Sequence, residues 1–345
     1  MVSEGATLLA FCYARPSLCR TIKYLINHST WPQEIILNKT LYLSQLLITP
    51  KLGDFNFRAG LFVLLLLLAS CATDTTVYLE STNQNSRVNY LVIHSTAENF
   101  AESLRLLSTP TDRPVSSHYL LPETGDPSYP HNTLRVYQLV PELRRAWHAG
   151  VSYWAGEKAL NDRSIGIEVV NVFKCSGIDQ PVEDIVLDEM VCEFPPFSDV
   201  QIDMLIDLIK SILERFPDID PIDIVAHSDI AILRKADPGP LFPWKRLFDE
   251  GIGAWPNPDL TAGYQARFSD ALPSVAAVQR ALSALGYKIE ISEQADEQTR
   301  YALRAFQLHF RAADYTGILD VETAARLWAL VEEYRPGALS EFWLM

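Results

Sequence analysis

The chain predicts an α/β domain with helices laid on a central sheet, followed by a small all-α bundle. Three observations predict it. Short runs at Tyr90–Ile93, Ile165–Val170 and Ile222–Ala226 are rich in β-branched residues and read as strands. Between them, Glu98–Leu107 and Val200–Arg215 carry apolar residues at helical spacing, the second as Ile202, Leu205, Ile206, Leu208, Ile209 and Ile212. From about Pro273 only helical stripes remain: Val275, Val278, Leu282 and Leu285 closed by Gly286, then Thr299, Ala302, Leu303, Phe306 and Phe310, then Thr323, Leu327 and Leu330. That makes three short helices and a separate bundle.

At 345 residues and 48% hydrophobic composition the chain has room for two cored domains and a non-globular end. Its 29 basic and 43 acidic residues give a formal charge of -14. Nucleic acid is therefore not an expected partner, since phosphate binding needs a basic patch. Cys12, Cys19, Cys71, Cys175 and Cys192 form no CxxC pair, which removes zinc-ribbon and thioredoxin-like readings. The oligomeric state is left open.

The first 71 residues read as export machinery. Leu61–Ala69 is an almost unbroken apolar run, short for a membrane span, with Lys51 and Arg58 upstream, as in a signal peptide. It ends in Leu68-Ala69-Ser70-Cys71, which resembles the lipobox of bacterial lipoproteins and makes Cys71 the expected lipidation site. By resemblance to proteobacterial sorting rules, Ala72 after the cysteine implies the outer membrane, so the expected location is its periplasmic face in a Gram-negative bacterium, anchored through lipid on Cys71. Residues 1–50 precede the signal peptide 51–71 as an unassigned leader. A start placed too early, with Leu52 as a non-ATG alternative, and a genuine long leader are the two accounts. Residues 72–87 form a polar tether, 88–259 the α/β domain, 260–337 the bundle and 338–345 a tail. The prolines at Pro238, Pro240, Pro243, Pro256 and Pro258 mark the exit from the α/β domain.

Polar residues stand at strand ends where the fold does not require them. His94 follows YLVI, Glu168 lies inside IGIEVV, and His227 follows DIVA with Lys235 and Asp237 downstream. Two histidines and a carboxylate suit Zn2+ with a fourth position left for water, the arrangement of a hydrolytic centre. Taken singly each has an ordinary reading: a hydrogen-bonded strand-end histidine, a salt-bridged glutamate, a solvated Lys–Asp pair. Spacing alone leaves both open.

The wording of the motifs adds to the spacing. VIHST (92–96), VSSHYLLPE (115–123), YQLVPELRRAWHAGVSYWAG (137–156), LNDRSIGIEVVN (160–171) and VAHSDIAILRKADPGPLFPW (225–244) closely resemble the AmpD/AmiD group of N-acetylmuramoyl-L-alanine amidases. The resemblance implies a mixed central sheet, the fold shared with peptidoglycan recognition proteins. It also implies hydrolysis of the amide between the muramyl lactyl group and L-Ala of the stem peptide, with peptidoglycan and muropeptides as partners. By motif, His94, His227 and Asp237 correspond to zinc ligands, Glu168 to the catalytic acid/base and Lys235 to the oxyanion stabiliser. Trp147 and His148 are expected to line the substrate groove, His118 to hydrogen-bond within the sheet, and His131 and His309 to lie at the surface. The bundle resembles the three-helix peptidoglycan-binding domain in Asp296, Thr299, Ala302, Phe306-Gln307, Gly317, Asp320, Thr323 and Leu327, with the two aspartates placed to begin helices. A metal-free recognition protein and a zinc peptidase cutting within the stem peptide are the rival readings. Cys175 and Cys192 bracket an acidic stretch, and both a disulfide and two free thiols fit the sequence.

Overall fold

In the computed structural model the described residues are 77–176 and 191–339. The leader, the export segment with Cys71 and the acidic stretch lie outside them. The chain divides into two units, Met1–Ser81 and Thr82–Met345, and all helices and strands of the described residues lie in the second. Among the described residues no helix is long and apolar enough to cross a membrane.

The elements follow in order as β1 (Tyr90–Ser95), α1 (Phe100–Ser108), β2 (Tyr119–Leu121), β3 (Tyr137–Gln138), β4 (Tyr153–Trp154), β5 (Glu157–Lys158), β6 (Ser164–Val169), β7 (Lys174–Ser176), β8 (Val191–Glu193), α2 (Asp199–Arg215), β9 (Ile224–Ala226) and α3 (His227–Ile230). Then come α4 (Trp244–Asp249), α5 (Pro258–Phe268), α6 (Val275–Leu285), α7 (Glu297–Phe310) and α8 (Val321–Tyr334). The central sheet runs β3-β2-β6-β1-β9. β2, β6, β1 and β9 are parallel to their neighbours and β3 closes one edge antiparallel, so the sheet is mixed. Parallel strands need covers on both faces, and β1 is buried along its whole length.

Alternation along β1 shows what the covers are. Leu91 and Ile93 share a core with Ile165, Ile167 and the α2 stripe Ile202, Leu205, Ile206, Ile209 and Ile212. Tyr90 and Val92, on the other face, share a core with Trp154, Val225, Val278, Leu282, Phe306 and Leu327. Ser198 caps α2 by accepting from the Gln201 backbone N–H. The second cover is shared: α1 packs Phe100 and Leu107 against Leu120 and Val170, and the C-terminal bundle covers the rest, so the bundle is not the separate body the sequence suggested. Trp154 packs edge-on against Tyr287 at 4.9 Å, the Ala155 N–H donates to the Gly286 carbonyl, and a Cβ on Gly286 would stand 2.6 Å from the Trp154 ring.

Caps set the bundle helices where the sequence expected them. Ser274, Asp296 and Asp320 accept from the backbone of Ala277, Thr299 and Thr323. Gln307, fully buried, donates to the Ile318 carbonyl and Thr323 Oγ1 and accepts from Gly317 N–H. Helix α5 has no counterpart in the sequence reading, and the boundary between 259 and 260 falls inside it. Its signal was present: Asn257 accepts from Asp259 and Leu260 N–H, with Pro258 as the first helical residue.

Candidate active site

The parallel register assembles the site at the carboxyl ends of three strands. β1 and β6 pair His94 with Glu168, and β1 and β9 pair Ile93 with Ala226, the residue before His227. Asp237 returns on the following loop, held by the Ser228 N–H donating to its carbonyl. His94 Nδ1 lies 3.0 Å from His227 Nδ1 and 3.3 Å from Asp237 Oδ2, and His227 Nδ1 lies 3.1 Å from Asp237 Oδ2. Glu168 Oε1 stands 4.0 Å from His94 Nδ1. Among the described residues His94, His227 and Asp237 form a buried cluster able to hold a metal ion.

Hydrogen bonding behind His94 sets its tautomer. Ser164 Oγ donates to the Leu160 carbonyl at 2.6 Å, so it accepts from His148 Nε2 at 3.1 Å. His148 Nδ1 is then an acceptor, and at 2.9 Å it takes the proton of His94 Nε2. His94 Nδ1 is left as a lone pair directed at an imidazole nitrogen and a carboxylate oxygen. Such a cluster of acceptors suits a cation, and the spacings of 3.0–3.3 Å match the edge of about 3.3 Å of a tetrahedron with zinc–ligand bonds of about 2.0–2.1 Å. The residues fit Zn2+.

Electrostatics agree with the geometry. Burial lowers the His227 pKa to about 4, keeping the ring neutral as a metal ligand must be. Burial alone would raise Asp237, yet its carboxyl lies well below the usual carboxylate range among its polar neighbours, the Lys235 ammonium included. Burial raises Glu168, assisted by Asp237 and opposed by His94 and Lys235. Of the two carboxylates, Asp237 is thus the stronger acid and Glu168 the weaker, a division seen where one acid binds and another shuttles protons.

A groove of about 200 Å³ opens over this centre, lined by Trp147, Val115, Leu106, Glu168 and Lys235 among others. Trp147 is 50% exposed, as a groove-lining indole would be. His148 borders the groove but is buried, with both ring nitrogens engaged by His94 and Ser164. Sequence reasoning missed Ser164 and Asn161, whose Oδ1 accepts from the backbone N–H of His148 and Ala149. His118 hydrogen-bonds within the sheet as expected, accepting from Gly166 N–H and donating to the Arg144 carbonyl. His131 is exposed. His309 is not: it is 4% exposed, stacked on Trp244 at 3.8 Å and bonded to Asp229.

The N-acetylmuramoyl-L-alanine amidase family matches residues 84–240, and a peptidoglycan binding domain family matches residues 272–327. The N-acetylmuramoyl-L-alanine amidase AmiD of Escherichia coli is 42% identical over 282 residues, 78% of this chain and 95% of that protein. Among solved structures, AmpDh3 of Pseudomonas aeruginosa in complex with anhydromuramic pentapeptide is similar with a TM-score of 0.69 and 44% identity, covering 76% of this chain and 99% of that one. The complex of E. coli AmiD with anhydro-N-acetylmuramic acid-L-Ala-D-gamma-Glu-L-Lys is similar with a TM-score of 0.62 and 41% identity, covering 74% and 93%.

Proposed function

Because the chain belongs to the N-acetylmuramoyl-L-alanine amidase family, we propose that it uses Zn2+ held by His94, His227 and Asp237 to cleave the amide between the MurNAc lactyl group and L-Ala of peptidoglycan stem peptides. The observation that carries this is the convergence of three ligand atoms at 3.0–3.3 Å beside Glu168. When bound, Zn2+ supplies Lewis acidity and brings the pKa of a water towards about 7.

The protein's own groups do the rest. Glu168 takes a proton from the attacking water and returns it to the departing L-Ala nitrogen, a role that a carboxyl with a raised pKa suits. Lys235, partly buried on the groove wall, sets its ammonium towards the oxygen on which charge develops. Trp147 with Val115 and Leu106 offers an apolar wall for sugar and peptide. Anhydromuropeptides, the ligands named in the complexes of AmpDh3 and AmiD, are substrates of the fitting class.

The wider setting belongs to the same reading. Lipid on Cys71 anchors the chain to the periplasmic face of the outer membrane, supported by the apolar run ending in Leu68-Ala69-Ser70-Cys71. The chain up to Asn257 forms the catalytic part, and the helices from Pro258 onward form the part that meets the wall. Cys71→Ser leaves an unlipidated precursor, and a mature N-terminus elsewhere without acyl chains removes the anchor.

The test is to incubate purified residues 72–345 with anhydro and reducing muropeptides, with and without chelator, and to identify products by mass spectrometry. The expected products are an intact stem peptide beginning at L-Ala and a lactyl acid, formed only without chelator. Cuts between stem residues would make the chain a peptidase, and binding without cleavage a recognition protein.

A further inference from the structure

Asp229 is a buried carboxylate that the mechanism does not use. It lies two residues after the ligand His227, is 0% exposed, and is surrounded by donors from both parts of the chain. Its Oδ2 accepts from the Ala226 N–H at 2.8 Å, directly ahead of His227, and from His309 Nδ1 at 2.7 Å. Its Oδ1 accepts from the Tyr287 hydroxyl at 2.7 Å. Tyr287 and His309 belong to the bundle, Ala226 to strand β9. A fully buried carboxylate without donors is costly, so the three bonds are conditions for this turn to hold its shape.

The donors are themselves fixed. His309 is sandwiched between the Trp244 ring at 3.8 Å and the Phe310 ring at 3.9 Å. Tyr287 meets Trp154 edge-on, and Trp154 Nε1 donates to Asp223 Oδ1 at 2.9 Å just before β9. On the other side of the same turn, Ser228 N–H donates to the Asp237 carbonyl. The segment carrying His227 is thus held between the backbone of another ligand and two side chains of the bundle.

We propose that the bundle is a positioning element of the metal centre: through Tyr287 and His309 it fixes Asp229 and, with it, the turn that presents His227. The bundle then serves the metal site as well as the wall, and soluble substrates feel its loss. This rests on His227 being a zinc ligand. Tethering alone raises the local concentration at the wall and leaves the chemistry of a small diffusing substrate unchanged. A clamp on a ligand-bearing turn changes metal affinity and turnover even there.

The experiment compares Tyr287→Phe, His309→Gln and the double variant with Tyr264→Phe in the exported chain. Tyr264 makes the same kind of bond, hydroxyl to Glu332 at 2.6 Å, between α5 and α8 of the bundle. Zinc affinity is read by competition with a chromophoric chelator well below the unfolding temperature of each protein. kcat and KM are read on a soluble muropeptide. Outer-shell partners of metal ligands typically govern about 10–100-fold in affinity, and with Asp229 one step further out the double variant is expected near the lower end, about tenfold weaker. Its kcat falls with KM little changed, while Tyr264→Phe matches wild type in both. Zinc affinity of the double variant within about twofold of wild type overturns the inference. If His309→Gln does not fold, the near-isosteric Tyr287→Phe decides by the same comparison, with a smaller loss expected. A wild-type chain that binds no stoichiometric zinc refutes instead the ligand assignment on which the inference stands.

Discussion

Gly166→Ala adds a single methyl group to the middle of β6, and its effect is expected far from what a strand alanine ordinarily causes. The glycine has no left-handed φ, so the backbone itself accepts alanine. The obstacle is the His148 ring, whose Cγ, Nδ1 and Cδ2 lie 2.4, 2.6 and 2.7 Å from the position the Cβ would take. Restoring ordinary contact moves the ring by about 1 Å, and the ring is held at both ends, by His94 Nε2 at 2.9 Å and Ser164 Oγ at 3.1 Å. Overpacking a core costs about 1–3 kcal/mol and a lost hydrogen bond about 1 kcal/mol, which together come to about 2–4 kcal/mol. For a unit of some 260 residues that lowers Tm by roughly 4–7 °C. Freed from His148, His94 no longer has its tautomer fixed, and zinc affinity is expected to fall about 10–100-fold. Thermal unfolding and chelator competition on Gly166→Ala, His148→Ala and the double variant measure both effects. The double variant lacks the clash, so the two changes together cost less than their sum by about 1 kcal/mol or more. A Tm drop of under about 2 °C with unchanged zinc affinity would refute the placement of His148 behind His94.

Three further outcomes follow from the same site and its surroundings. Glu168→Gln retains zinc and loses about 10²–10⁴ of its turnover, whereas His227→Ala loses both metal and activity; near-normal turnover in the first removes Glu168 from the mechanism. In the metal-free protein the folded pKa of Glu168 is raised above its ordinary value of 4.5 by burial. The folded state therefore holds that proton more tightly than the unfolded state, and its contribution to stability is fully present below about 4.5 and lost as pH rises through the raised value. Chelated wild type thus loses stability on going from acid towards neutral pH relative to chelated Glu168→Gln, and parallel denaturation curves for the two count against it. Finally, β7 and β8 set Cys175 directly opposite Cys192. Opposed residues of an antiparallel pair lie about 4.5–5.5 Å apart, within disulfide reach, so the exported protein is expected to carry that bond, worth about 3 kcal/mol in the loop-entropy account. Two thiols that alkylate freely without reduction exclude it.

What the sequence determined by itself was local in character. Tyr90–Ile93, Ile165–Val170 and the α2 stripe are periodic over a few residues, and the caps at Ser274, Asp296 and Asp320 act on backbone groups three positions away, so composition and spacing suffice to find them. His94, Glu168, His227 and Asp237 were legible because each stands in an extended motif. The Asn257-Pro258 cap of α5 is equally local, but the prolines on either side of it read as a loop and mask the helix start.

Tertiary structure alone decided which of these residues meet. That β1 pairs His94 with Glu168 is a matter of register between strands some 70 positions apart, and nothing in either strand's pattern specifies its partner. His148 reads as a groove residue beside Trp147, yet the Gly166 position opens space for its ring under His94. Tyr287 and His309 sit where an isolated three-helix bundle would face water. They are buried because both faces of a parallel sheet need covering, and α2 covers only one while α1 covers only part of the other. The second cover had to come from elsewhere in the chain, and the Tyr90–Val92 face of the sheet carries no mark in its own sequence of the helices that would supply it.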